Sequence, residues 1–202
     1  MDTVVGLVGN GFVLVAADAM SGRSILIFKD DYDKVKEMDP NKLLGLAGPQ
    51  ADCENFSEYI QKNMELYRLN NNGLTLGTHA AANFIRGEMA YALRRGPYQC
   101  NMLLGGVDPP AKGSTDSEPA KPQLFFIDYL ASCHPVNFGC HGYGSSFLLS
   151  ILDRCWKEDL TQEEAIDIVK KCIHELEVRF LISQPKFTIK IVTADGTKKV
   201  TL

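Results

Sequence analysis

Basic charge is the first thing this sequence lacks. Its 21 Lys and Arg stand against 25 Asp and Glu, giving a net charge of −4 and a pI near 5.6. That balance argues against nucleic acid or an anionic membrane as the main partner, because phosphate recognition needs a dense basic face. No apolar run approaches the roughly 18 residues that a membrane span requires. The chain opens on a strand pattern in place of a secretion leader, and it shows neither an internal repeat nor a Pro/Gly-rich linker. Nor is there a disulfide framework. Cys53, Cys100, Cys133, Cys140, Cys155 and Cys172 are scattered through apolar patterns and are expected to be reduced and buried, as in cytosol or nucleus. With 45% apolar residues over 202 positions, a single domain spanning 1–202 can bury roughly 70% of its unfolded surface and needs no cofactor to hold a core.

What is present reads as an ordered series of strands and helices. Residues 4–8 and 12–17 are apolar, β-branched-rich runs separated by Gly9-Asn10-Gly11. Asn-Gly between such runs is a strong hairpin signal, and no helix follows that would make the glycines a phosphate loop. Leu43-Leu44-Gly45-Leu46-Ala47-Gly48 reads as an apolar strand ending on a glycine. Cys53, Phe56, Ile60, Met64 and Tyr67 recur at helical spacing, as do Ala81, Ile85, Met89 and Leu93 after Asn70-Asn71-Asn72-Gly73. Residues 101–107 and 123–128 read as strands around an insertion at 108–122, whose Pro, Lys, Ser, Gly and Asp content predicts a mobile surface loop. Phe147, Leu148, Ile151, Leu152 and Cys155 mark a third helix, with Ser145-Ser146 placed to cap it. Thr161-Gln162-Glu163-Glu164 is a capping box opening a fourth helix, and Ile166, Val169, Ile173, Leu176 and Phe180 form its expected core stripe. Residues 187–192 and 198–202 close the chain as strands around Asp195-Gly196.

Asp18, Lys34 and the strand-end Gly48 follow the first hairpin in an order that resembles the proteasome beta-subunit family. The resemblance runs through essentially the whole chain, in Tyr59-Ile60-Gln61-Lys62-Asn63, Ala81-Ala82-Asn83-Phe84, His141-Gly142-Tyr143-Gly144 and Ser150-Ile151-Leu152-Asp153-Arg154. It implies an α+β fold, a four-layer αββα sandwich of two antiparallel sheets flanked by helix pairs. It also implies a chemistry. Active members use an amino-terminal Thr hydroxyl as nucleophile and that residue's own amine as base. A buried Lys lowers the hydroxyl's pKa, an Asp keeps the Lys charged, and the strand-end glycine N–H stabilises the oxyanion. Asp18, Lys34 and Gly48 match those three supporting roles, and Ser183 matches a further position of the site.

The nucleophile itself is missing. Counting back from Asp18 puts Asp2 where the threonine belongs, and a carboxylate is no alkoxide. Thr3 is expected to point away from Lys34 because strand side chains alternate faces, and no propeptide is expected whose removal would expose it. Tyr143 stands in a family Gly-Ser-Gly, and Phe180 stands at the position of a second catalytic Asp. The resemblance therefore implies a non-catalytic structural subunit of the 20S core, without cofactor or metal, in cytoplasm and nucleus. Its implied partners are the other beta subunits of its ring, the alpha ring, the opposing beta ring and polypeptide substrates inside the chamber.

Other chemistries are weaker matches. Cys133-His134 and Cys140-His141 could supply zinc ligands, but adjacent strand residues face opposite ways and do not converge. Cys53 and Cys140 lie nearest to helix starts without a nucleophile motif around them. His79 and His174 fall on helix patterns as surface or boundary residues. An active threonine peptidase released by unexpected processing and a free-standing regulatory binding domain on the same scaffold complete the alternatives.

Overall fold

The computed structural model describes residues 2–23, 26–109 and 120–201. The opening hairpin forms as the Asn-Gly signal requires: β1 (Thr3–Gly9) pairs antiparallel with β2 (Phe12–Asp18), Gly9 opposite Phe12. A short ribbon, β3 (Ser21–Arg23) with β4 (Leu26–Lys29), leads to β5 (Val35–Asp39) and β6 (Lys42–Ala47). Helices α1 (Gln50–Asn70) and α2 (Thr78–Ala92) come next, then β7 (Asn101–Asp108), β8 (Lys121–Ile127), β9 (Cys133–Val136) and β10 (Phe138–Gly142). Helices α3 (Ser145–Cys155) and α4 (Gln162–Arg179) precede the closing hairpin of β11 (Phe187–Thr193) and β12 (Gly196–Val200).

Two five-stranded antiparallel sheets result, ordered β10-β1-β2-β11-β12 and β5-β6-β7-β8-β9. Because side chains alternate along a strand, each sheet feeds two different cores. Along β2, Phe12, Leu14 and Ala16 join the core under α3 and α4, while Val13, Val15 and Ala17 join the core between the sheets. The second sheet behaves likewise: Leu44, Leu46, Met102 and Leu104 pack under α1 and α2, and Leu43, Ala47, Leu103 and Val107 face the first sheet. Both faces of the central strands are covered, so residues 12–17 of β2 and 43–47 of β6 read as unbroken apolar runs. The layers are thus helix pair, sheet, sheet, helix pair: the αββα sandwich.

Three local expectations need correction. The first strand pair around the insertion is longer than the apolar runs suggest, with Val107 opposite Pro122 and Asp108 opposite Lys121. Pro122 is tolerated because β9 pairs only with residues 124–127, so that neighbour asks no N–H of it. Residues 110–119, where the mobile part of the insertion was expected, lie outside the described residues. Second, Ser145 and Ser146 do not cap α3. Gly144 is already helical and its carbonyl accepts from the Phe147 amide at 3.0 Å, which places the serines inside the first turn, and no side chain among the described residues caps it. Third, the buried stripe of α4 is Ala165, Ile168, Val169, Cys172 and Leu176. Small Ala165 and Cys172 let the helix approach the sheet, and Ile166, Ile173 and Phe180 pack at its margin. The capping box is formed as read: the Glu164 amide donates to the Thr161 hydroxyl, and the Thr161 amide to the Glu164 carboxylate.

Histidine 141 on β10 is one of the buried polar groups between the layers. Its ring stacks on Phe126 at 3.9 Å between centroids, and Nε2 lies 3.0 Å from the Met102 carbonyl oxygen, which fixes Nε2 as the protonated nitrogen. Burial lowers its pKa to about 4 from the ordinary 6.5. Between those values the unfolded chain binds the extra proton, so stability is complete above about pH 6.5 and is lost as pH falls toward 4. Going from pH 7 to 5 should cost about 2 kcal/mol through this one group. Denaturant unfolding followed by the fluorescence of Trp156 should show that loss, and His141→Gln, which keeps a donor for the Met102 carbonyl, should flatten the dependence.

Candidate functional site

Asp18 ends β2 with its side chain fully buried, and the strand pairing that puts it there also fixes its partners. The Thr3 amide donates to its Oδ1 at 2.8 Å, the Met20 amide to Oδ2 at 3.2 Å, and Lys34 Nζ to Oδ2 at 2.7 Å. Burial pushes the Asp18 carboxyl above the usual carboxylate range, opposed by the Lys34 ammonium and the Thr3 amide. Lys34 immediately precedes β5, and its side chain is only 5% exposed. Its ammonium lies between two carboxylates: besides Asp18 it donates to Asp2 Oδ1 at 2.7 Å. The other oxygen of Asp2, Oδ2, accepts from the Gly48 amide at 2.8 Å. Asp2 and Asp18 belong to the first sheet, Lys34 and Gly48 to the second, so this cluster joins the two sheets at one end of the sandwich.

Glycine is required at the turn that aims the Gly48 amide. Its φ is +149°, and a Cβ there would stand 2.2 Å from the Gln99 carbonyl oxygen. Gly142 has φ +87°, and a Cβ would fall 1.8 Å from the Asp2 carbonyl oxygen, so the end of β10 closes against the start of β1 only with glycine. Beside the cluster lies a cavity of about 360 Å³, whose lining includes Asp2, Lys34, Gly48, Tyr32, Asn101 and Tyr143. Ser21 Oγ donates to Gln50 Oε1 at 2.9 Å on its wall. The Tyr32 hydroxyl donates to Glu54, and burial together with that carboxylate raises its pKa.

Of the residues singled out from the sequence, Asp2, Asp18, Lys34 and Gly48 come together in one cluster, and Tyr143 reaches the rim of the same cavity while 68% exposed. Phe180 and Ser183 do not line that cavity. Phe180 follows α4 and packs its ring on Phe147 of α3, and Ser183 is exposed. Thr3 is fully buried with its side chain against Gly144, on the strand face opposite Asp2. Its hydroxyl oxygen has no hydrogen-bond partner among the described residues. The position count marks Asp2 as a missing nucleophile but not as a carboxylate that complements Lys34, although the register that locates it carries that signal. Ser21, Tyr32 and Asn101 offered no pattern to find.

All six cysteines are free, four of them buried and Cys133 and Cys155 half-buried. Burial pushes the Cys140 thiol up to about 12, the reverse of what an activated nucleophile needs. Cys53 lies on the cavity wall with its sulfur 3.2 Å from that of Cys100. Cys140 joins the core under α3 and α4 while His141 turns the other way onto Phe126, so the two do not converge on one ion.

Comparison with known proteins adds an independent line. The family described as Proteasome subunit matches residues 1–192. The chain is 47% identical over 199 residues to proteasome subunit beta type-2-B of Arabidopsis thaliana, covering 98% of this chain and 95% of that protein. It is 44% identical to proteasome subunit beta type-2 of Dictyostelium discoideum, with 98% and 96% covered. Identity to proteasome subunit beta type-4 of Saccharomyces cerevisiae is 35%, with 99% and 97% covered. Sharing nearly its full length with these proteins and built on the same αββα sandwich, the chain belongs to the proteasome subunit family, among the beta subunits.

Proposed function

We propose that the chain is a non-catalytic structural subunit of the 20S proteasome core, serving beta-ring assembly and the walls of the chamber in ubiquitin-dependent protein degradation. Its partners on this reading are neighbouring beta subunits, the alpha ring and the opposing beta ring, with polypeptide substrates passing inside, in cytoplasm and nucleus. One observation carries the reading. At the place where active relatives would carry a hydroxyl and a free amine, the Asp2 carboxylate occupies both Lys34 Nζ and the Gly48 amide. Neither atom that a threonine hydrolase keeps ready for its nucleophile and oxyanion is left available. Thr3 does not offer a substitute, since it is buried on the other face and its amide is held by Asp18.

On this reading 1–202 is one domain, and the insertion between Asp108 and Lys121 is dispensable, because the hairpin that flanks it is already paired at those two residues. Replacing residues 110–119 by a Gly-Asn turn should leave assembly into the particle intact, because shortening a connection changes closure entropy only slowly. Failure of the shortened chain to co-purify with the particle would make the loop an interface.

The Asp18–Lys34 pair is structural in this account. Lys34→Met strands a fully buried carboxylate and should destabilise the fold by about 3–5 kcal/mol, read as lower yield of assembled particle and an earlier denaturation midpoint. Restoring the nucleophile alone should not restore activity. With Asp2→Thr at a newly exposed amino terminus, Tyr143 still stands at the cavity rim in place of a small hydroxyl and Phe180, packed on Phe147 away from the cavity, supplies no carboxylate, each loss worth about 10²–10⁴ in rate. A threonine-directed covalent probe on purified particles, with mass spectrometry to assign the label, should mark neighbouring catalytic subunits and leave the introduced threonine unlabelled. Labelling at that position would show a competent site and overturn the reading.

A further inference from the structure

The Asp2 side chain meets two donors that lie far from it in sequence, Lys34 at a separation of 32 residues and Gly48 at 46. Each carboxylate oxygen takes one of them, at 2.7 Å and 2.8 Å, the spacing of charge-assisted bonds. Lys34 Nζ is held from its other side by Asp18 at 2.7 Å, and Gly48 cannot be re-aimed because its backbone closes on Gln99. Both donors therefore have an anchor that does not depend on the residue at position 2. Two residues beyond Gly48 begins α1, a 21-residue helix with no side-chain cap among the described residues, whose amino-terminal partial charge adds to the preference for an anion. Asp2 is 18% exposed, so the carboxylate is reachable from the neighbouring cavity of about 360 Å³.

We propose that Lys34 Nζ and the Gly48 amide form a carboxylate-binding site whose resident ligand is the chain's own Asp2 side chain, which keeps the site closed to the carbonyl of a passing polypeptide. This rests on the inactive-site reading and goes beyond it: the two donors form a site with its own ligand preference, for a carboxylate. A peptide carbonyl is neutral and offers one oxygen, so it does not displace an anion that satisfies both donors at once. With the Asp2 carboxylate gone, a small free carboxylate takes its place.

The test uses purified particles carrying Asp2→Ala in this subunit, with intact mass confirming that Met1 is retained, and reads hydrogen exchange at the Gly48 amide. Loss of the resident carboxylate should speed that exchange by roughly tenfold. Acetate should restore protection where chloride at equal ionic strength does not, and adding Lys34→Met together with Asp18→Asn, which leaves no stranded buried carboxylate, should abolish the restoration. Equal effects of acetate and chloride, or restoration that survives without Lys34, would overturn the proposal. Asp2→Asn covers the case in which Asp2→Ala does not enter the particle. It fills the same volume without charge, so Gly48 exchange should quicken while acetate does nothing; exchange unchanged from the native particle, or protection by acetate, would refute the site. None of these outcomes turns on threonine-probe labelling, so failure here is distinguishable from failure of the inactive-subunit reading.

Discussion

A single buried ammonium at one end of the sandwich organises much of what surrounds it. Lys34 Nζ is 2.7 Å from carboxylates on both sides, Asp2 and Asp18. Two negative charges against one positive would be costly to bury on their own, since desolvation of buried ions commonly exceeds their mutual attraction. Backbone amides make up the difference: Thr3 and Met20 serve Asp18, and Gly48 serves Asp2. Those amides come from β1, from the turn after β2 and from the turn after β6. Satisfying one ion cluster thus requires the two sheets to meet in one register, which gives the cluster a structural role independent of catalysis.

On the proposed function, this cluster is a hydrolase frame closed by a local change. A threonine at position 2 would present a hydroxyl to Lys34 and leave the Gly48 amide for an oxyanion; an aspartate supplies the anion permanently. The supporting geometry is then free to serve packing alone. Phe180 turning onto Phe147 fits that picture, because a ring there extends the apolar contact between α3 and α4.

Much of the fold was legible because its central strands are buried on both faces and its helices on one. Runs such as residues 12–17 and stripes such as Phe56, Ile60 and Met64 follow from those burial patterns alone. What misled was local chemistry. Serines beside α3 looked like caps, but Gly144 enters the helix first, and the α4 stripe shifted because Ala165 and Cys172 fit closer to the sheet than the larger Ile166 and Ile173. At the site, strand alternation placed Asp2 and Thr3 on opposite faces, as found. The contact between Asp2 and the Gly48 amide could not be read, because it depends on the backbone of a turn 46 residues away. Ser21 and Asn101 join the cavity only through tertiary folding, which no period in the sequence encodes.

The most direct measurement is an experimental density map of the assembled particle, at a resolution that separates carboxylate oxygens, inspected at the start of this chain. Asp2 should be present with one oxygen about 2.7 Å from Lys34 Nζ and the other about 2.8 Å from the Gly48 amide, as in the geometry described above. A chain cleaved before Thr3, with a threonine hydroxyl facing Lys34 and the Gly48 amide open, would contradict the closed, non-catalytic site.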